Sequence, residues 1–450
     1  MGSGPAAADA FVRDPVTVLA YAAVAFFAYC LYGLGPIIAF LRSDLHLSYA
    51  VATLHSVSWS CGTIVSGLAY RRLEDRLGRR GLVWSVTAAF CAGITLLATA
   101  RVLALTLTAA LLMGASGTTL LIATSAILAD RHGQRRDRAL VEANACAVAM
   151  AVLAPLLFGE LGGTAATWRA ALALPLAGFA VLYLLFRRLP GPAGPAGVAD
   201  AAGPAGSAGP AGPADAAERS RPGRLPAAYW VRAVLVAASV AIEFCVVFYA
   251  AELLHAAGLP LAWAATALTV FYLGELTGRL AGAWLTRQRS DRRAQALVAA
   301  ALAVTAAGFV TFWLSGRSPA ALAGLFVTGL GIANLYPLTL GLAMSAAPDD
   351  SGRAAARTQV LAGVAIMSAP FALSLMADTW GVARAFVIEP ALIALAAMLL
   401  AATARPGLVA RTRNRLPVHE SGNLPRGRWL GGRPARDRPG ADPGGSGLRG

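Results

Sequence analysis

Residues 51–100 read VATLHSVSWSCGTIVSGLAYRRLEDRLGRRGLVWSVTAAFCAGITLLATA, and this stretch decides the fold. Two apolar runs, 51–70 and 81–100, flank a connection that packs together Arg71, Arg72, Glu74, Asp75, Arg76, Arg79 and Arg80. A bilayer core takes about 20 apolar helical residues per crossing. Each run is therefore one membrane span, and the charged connection is a short turn left on one face of the membrane.

Working outward, windows of the same length recur at 16–41, 104–128, 139–161, 168–187, 229–256, 262–286, 295–315, 318–345, 358–378 and 382–403. The expectation is an all-α membrane protein with twelve transmembrane helices. Of 450 residues, 57% are hydrophobic and 14% charged, where a soluble chain carries about 25% charged. Too little amphipathic surface remains for a water-soluble helical bundle. The net charge of +15 comes entirely from arginine, with no lysine. Because those arginines sit in short runs between apolar segments, they signal topology, and no nucleic-acid partner is expected. Cys30, Cys61, Cys91, Cys146 and Cys245 lie inside apolar runs without a CxxC pair. They are expected to be small buried hydrophobes, forming neither a disulfide framework nor a metal site. Met1–Asp14 is short and the run behind it is too long for a cleavable signal, so the first helix is expected to stay.

Orientation follows from the arginines. The loops after spans 2, 4, 8 and 10 hold fifteen: the five already quoted, Arg131, Arg135, Arg136, Arg138, Arg287, Arg289, Arg292, Arg293, Arg353 and Arg357. The opposite loops hold five: Arg42, Arg101, Arg169, Arg317 and Arg384. Positive-inside bias makes the even-numbered loops and both termini cytoplasmic. The expected organisation is a short N-terminus (1–15), six helices (16–187), a Gly-Pro-Ala-rich cytoplasmic linker (188–228), six more helices (229–403) and a disordered basic tail (404–450).

The two halves repeat. At an offset of 215, Cys30 falls on Cys245, Gly67 on Gly282, Gly114 on Gly329, Pro155 on Pro370 and Arg169 on Arg384. Six helices followed by six in the same orientation make a parallel repeat, two bundles facing one another across a central cavity.

With this plan, the run Asp75-Arg76-Leu77-Gly78-Arg79-Arg80 resembles the cytoplasmic signature of the major facilitator superfamily, Gly-x-x-x-Asp-Arg-x-Gly-Arg-Arg. The leading glycine is missing: Arg71 stands there, and the nearest candidate is Gly67. The resemblance covers 16–403 and implies a secondary transporter working by alternating access. Asp75 and Arg76 would belong to a cytoplasmic latch, Gly78 would permit the turn, and Arg79 and Arg80 could meet lipid phosphates. Two patterns of drug/proton antiporters are absent. Ala110 stands where they carry a span-4 arginine, and span 5 reads Ala154-Pro155-Leu156-Leu157-Phe158-Gly159.

Ionisable residues at membrane depth cost about 2.5–3.5 kcal/mol each on insertion scales and are functional candidates by default. Glu243 in span 7 has no charged neighbour on its own helix, and Glu275 and Arg279 in span 8 stand i,i+4 in the favourable order for a pair. Glu243 and Glu275 are candidates for proton coupling or substrate contact, with Arg279 anchoring an anionic group or restraining Glu275. Glu252, half a turn round from Glu243, reads as solvated or gate-side. Glu389 beside Pro390 has no role that the sequence explains. Tyr29, Tyr32, Asn334, Asn144 and His55 are candidate cavity-lining residues, each with simple packing as the alternative. Gly35, Pro36, Pro155, Gly329, Pro337 and Pro370 mark places for helices to bend.

The expected function is transport of a small molecule driven by a proton gradient, by a monomer in a bacterial plasma (inner) membrane. A transporter-like sensor signalling through its tail, or a drug or metabolite efflux antiporter, are the alternatives. His46, His55, His132, His255 and His419 are scattered, and neither HExxH nor a Gly-rich phosphate loop occurs. Hence no enzyme, cofactor or ATP-driven step is expected.

Overall fold

The computed structural model describes residues 11–165, 167–188, 225–285, 291–316, 318–347 and 351–403. The basic tail, nearly all of the linker, and Arg287, Arg289 and Arg317 lie outside the described residues. Every described element is helical: α1 Pro15–Tyr32, α2 Leu34–Asp44, α3 Tyr49–Thr99, α4 Leu103–His132, α5 Arg136–Gly162, α6 Ala173–Phe186 and α7 Ala227–Ala256. Then come α8 Leu261–Leu285, α9 Asp291–Leu314, α10 Pro319–Ile332, α11 Leu335–Ser345, α12 Ser351–Trp380, α13 Val382–Ala385 and α14 Ile388–Thr403.

Ten helical stretches are long and apolar enough to cross a membrane. One of them, α3, has 51 residues and is broken at Gly78, where φ is +64° and ψ 164°. At 1.5 Å per residue it would run about 75 Å, more than twice the hydrocarbon thickness, so it supplies two passes. The left-handed φ explains why glycine stands at that turn. With α3 counted twice and α8 added, the described helices are enough for the twelve passes that the sequence implies. Leu68, Leu184, Leu314 and Met398 are exposed, a surface suited to lipid rather than water.

Polar contacts sort the loops by end. Arg13 reaches Glu142 at 2.7 Å, Arg131 bonds Asp14, Arg79 bonds Asp130, and Arg80 donates to the Arg187 carbonyl. These contacts gather the start of α1, the Gly78 turn, the α4–α5 connection and the end of α6 at one arginine-rich end. At the opposite, arginine-poor end, the buried Arg169 donates to the carbonyls of Leu97, Ala98 and Ala100, capping the C-terminus of α3.

The internal repeat is visible in close helix contacts. A Cβ on Gly93 would strike Met113 and the Ala109 carbonyl, and one on Gly308 would strike Thr328 and the Gly324 carbonyl. All three correspondences are offset by 215. Likewise Gly114 abuts the Trp59 carbonyl and Gly329 the Phe271 carbonyl, while Gly62 abuts Leu111 and Gly274 abuts Phe326. Here the residues on α4 and α10 remain 215 apart (114 to 329, 111 to 326), but 59 maps to 271 and 62 to 274, an offset of 212. The pass before Gly78 and α8 therefore sit three residues out of the common register. Gly67 is not the counterpart of Gly282; it stands opposite Arg279, and Thr63 opposite Glu275.

One further expectation is corrected. Cys30 and Cys245 are buried, but Cys61 is exposed and Cys91 and Cys146 are half-buried; in a lipid-facing helix a thiol has no need of a protein partner. The first and tenth spans bend where proline and glycine were expected to bend them: the former breaks at Gly33 and the latter at Ala333–Asn334. Pro36 and Pro337 explain both, since neither can donate to the carbonyl four residues earlier.

Candidate functional site

The helix breaks bring the site together. Pro36 leaves the Tyr32 carbonyl without its helical donor, and the Tyr272 hydroxyl of the other bundle donates to it at 3.3 Å. The two rings meet edge-on, 5.4 Å between centroids. Two turns along α8 from Tyr272, Arg279 bonds Glu275, and its guanidinium also faces the Tyr32 hydroxyl. Glu243 of α7 lies within direct charge-interaction range of Glu275, Arg279, Tyr32, Tyr272 and Tyr336. Four sequence candidates, Glu243, Glu275, Arg279 and Tyr32, thus converge between the bundles. Glu275 is buried by its pair, whereas Glu243 is half-buried and has no hydrogen-bond or ion-pair partner among the described residues. Tyr336, which donates to Gln359 at 3.1 Å, adds a polar wall from α11 and α12. On the N-terminal side the equivalent helices offer neutral hydroxyls, with Thr63 paired to Thr118 at 3.0 Å and Ser66 to Thr119 at 2.8 Å.

Between this cluster and the arginine-poor end, the bundles are locked. Gly35 of α2 lies so close to the Val247 carbonyl that a Cβ there would overlap it. Above that level the hydroxyls of Thr53 and Tyr249 are bonded across the interface. Outermost, Arg42 makes a two-pronged bond to Glu252 at 2.6 and 2.7 Å, its guanidinium lying over the Tyr49 ring. Asp378 of α12 accepts from the Tyr49 and Ala50 amides at 2.7 and 2.9 Å, capping the N-terminus of α3 with a carboxylate from the opposite bundle. Glu252 therefore ties the two bundles together at this end, and is only 2% exposed rather than solvated. At the arginine-rich end, by contrast, α4 packs chiefly on α1, α3 and α5, and α11 chiefly on α7, α9 and α12.

The other candidates go elsewhere. Tyr29 is fully buried within its bundle, donating to the Ala171 carbonyl at 3.1 Å and stacking on Phe158. His55 is held by the Ala52 carbonyl and the Thr106 hydroxyl at 2.8 and 2.9 Å. Both are packing residues, not cavity lining. Asn334 donates to the Gly278 carbonyl at 2.6 Å, clamping the α10–α11 break onto α8. Asn144 is exposed on α5 with no partner among the described residues. Asp75 and Arg76 are exposed, and Asp75 is likewise unpartnered among the described residues. Arg79 bonds Glu74 and Asp130, tying the Gly78 turn to the end of α4. A Cβ on Gly67 would meet nothing within 4 Å. Pro155 and Pro370 lie inside α5 and α12, as expected. Arg42, Asp378, Thr53 and Tyr249 were not legible as a group, because their meeting depends on how the bundles dock.

The family model for the Major Facilitator Superfamily matches residues 19–370. The chain belongs to the major facilitator superfamily. Solved superfamily transporters share the fold at low identity. A bacterial homologue of the human lysosomal transporter Spinster, inward-facing and unoccupied, has a TM-score of 0.62 and 13% identity, covering 89% of this chain and 94% of that one. The peptide transporter POT in complex with sulfate gives 0.65, 18%, 86% and 94%. A D-xylose–proton symporter gives 0.65, 13%, 86% and 96%. No curated protein sequence matches the chain. As a superfamily member with a multi-pass helical fold, it is a membrane transporter of small molecules.

Proposed function

We propose that this superfamily member is a proton-coupled secondary transporter, seated in a plasma membrane with both termini in the cytoplasm. The arginine-rich end is then the cytoplasmic one, and the contacts at Arg42, Tyr49, Thr53 and Gly35 hold the outer side shut. The molecule is inward-facing, with Glu243, Arg279 and Tyr336 reachable from the cytoplasm.

One observation carries the reading. Glu243 is the single cluster carboxylate left without a partner, and it sits where the two bundles meet. A carboxylate there is costly as a bare anion, so it favours a state in which a proton or a bound solute neutralises it. Neutralisation at that point is coupled to which side is open, because α7 carries both Glu243 and the outer-gate residue Glu252. The similarity to a proton symporter of the same fold supports this coupling.

Glu243→Gln is expected to abolish accumulation driven by a pH gradient in proteoliposomes. Unchanged gradient-driven accumulation in the variant would remove the coupling role.

A further inference from the structure

The charges at the central cluster are not balanced. Two carboxylates, Glu243 and Glu275, stand beside one guanidinium, Arg279, which already bonds Glu275 and faces Tyr32. In the N-terminal bundle the repeat counterparts of Glu275 and Arg279 are the uncharged Thr63 and Gly67. Another carboxylate at membrane depth, Glu389, is 0% exposed within the C-terminal bundle, with both carboxylate oxygens unpaired among the described residues. An anion entering from the arginine-rich side would have to displace Glu275 from Arg279 while approaching Glu243. A cation needs to displace nothing. It finds an uncommitted carboxylate in a cluster that also holds Tyr32, Tyr272 and Tyr336, and aromatic faces attract positive charge.

Resting on the transporter reading above, we infer that the carried solute is an organic cation, an amine or quaternary ammonium with an apolar body, and that Glu243 is its counter-ion. Tyr32 and Tyr336 form the walls for the cation's carbon frame, and the Glu275–Arg279 pair fixes the position of α8 behind it. One carboxylate neutralises one positive charge at a time, so solute and proton exclude each other at Glu243. The groups facing it are Glu275, Arg279 and Tyr272 from α8, Tyr32 from α1 and Tyr336 from α11. Arg279 stays cationic and the tyrosines stay neutral over the physiological range. Acidification therefore acts on the carboxylates, and weakens cation binding.

The test is calorimetric binding to the purified full-length protein with charge-inverted pairs of matched shape. The probes are tetraphenylphosphonium against tetraphenylborate, and phenethylammonium against 3-phenylpropionate. At least one cation is expected to saturate, to bind at least tenfold tighter than its anionic match, and to weaken as pH is lowered. Glu243→Gln should lose at least tenfold in cation affinity while melting as the wild type does, and Glu243→Asp should keep most of it. Should the Gln variant fail to fold, the pH dependence in the wild type serves the same purpose. An anion binding as tightly as its cation, a cation affinity indifferent to both pH and Glu243→Gln, or saturation by neither cation overturns the inference. Uptake of a bound anion under a pH gradient would sink the cation assignment and leave proton-coupled transport standing. A bound cation whose flux ignored the gradient would do the reverse.

Discussion

At Glu275 the carboxylate is 5% exposed and its partner Arg279 31%. Removing one member of such a pair leaves an uncompensated charge at membrane depth, with a cost of about 3 kcal/mol. Arg279→Gln is expected to lower stability by that order, and Glu275→Gln/Arg279→Gln together to recover most of it; denaturation midpoints of the three variants check this. A second residue-level prediction concerns Asp14, which lies just outside the first span. Burial alone would raise its carboxyl, but bonds from the Thr17 hydroxyl and amide and from Arg131 outweigh that, and it sits below its ordinary value of 3.8. Because the folded value is the lower one, its contribution is present above about pH 4 and is lost as pH falls through the lowered value. Asp14→Ala should cost about 1 kcal/mol at pH 7, through loss of the α1 cap. The cost should shrink toward zero in strong acid. At this scale the sequence was only partly legible. Membrane depth and charge alone picked out Glu243, Glu275 and Arg279, because charge in lipid is rare enough to mean something. Tyr29 and His55 misled, because one sequence does not fix how a helix is rotated within its bundle.

Among the helices, α2 and α7 form the contact on which the proposed outer closure turns. Their approach at Gly35 leaves no room for a side chain. Gly35→Val is therefore expected to hold the outer side open and reduce transport more than tenfold with the protein still folded, as judged by flux and by size-exclusion profile. Arg42→Ala removes the two-pronged bond to Glu252 and leaves that buried carboxylate unpaired, so it should shift the population the same way. Spin labels on the outer ends of α2 and α7 should show a longer distance in this variant. None of this was readable beforehand. Arg42 counted only as one of five outer arginines, and Asp378 was an unremarked acid at the end of an apolar run. The bends were better announced: Pro36 and Pro337 remove helical donors wherever they stand, and the breaks fall within a turn of each.

For the whole molecule, bilayer thickness and arginine bias made the architecture legible, since both constraints act on segment length and loop charge and not on contacts. The repeat was legible at 215 in most helices and misread by three residues around Gly67, because matching letters cannot reveal a local shift in register. Deleting 404–450 is expected to leave transport intact; loss of flux without loss of folding would favour a signalling role for the tail. The central claim is that Glu243 lies on a pathway open to the arginine-rich, cytoplasmic side and shut from the other. A single cysteine at position 243 tests it most directly, with Cys61, Cys91 and Cys146 replaced and the buried Cys30 and Cys245 retained. A membrane-impermeant thiol reagent should label it from the cytoplasmic side of oriented vesicles, and from the outer side only when Arg42→Ala is added. Equal labelling from both sides, or labelling of the resting protein from the outside alone, would contradict the account.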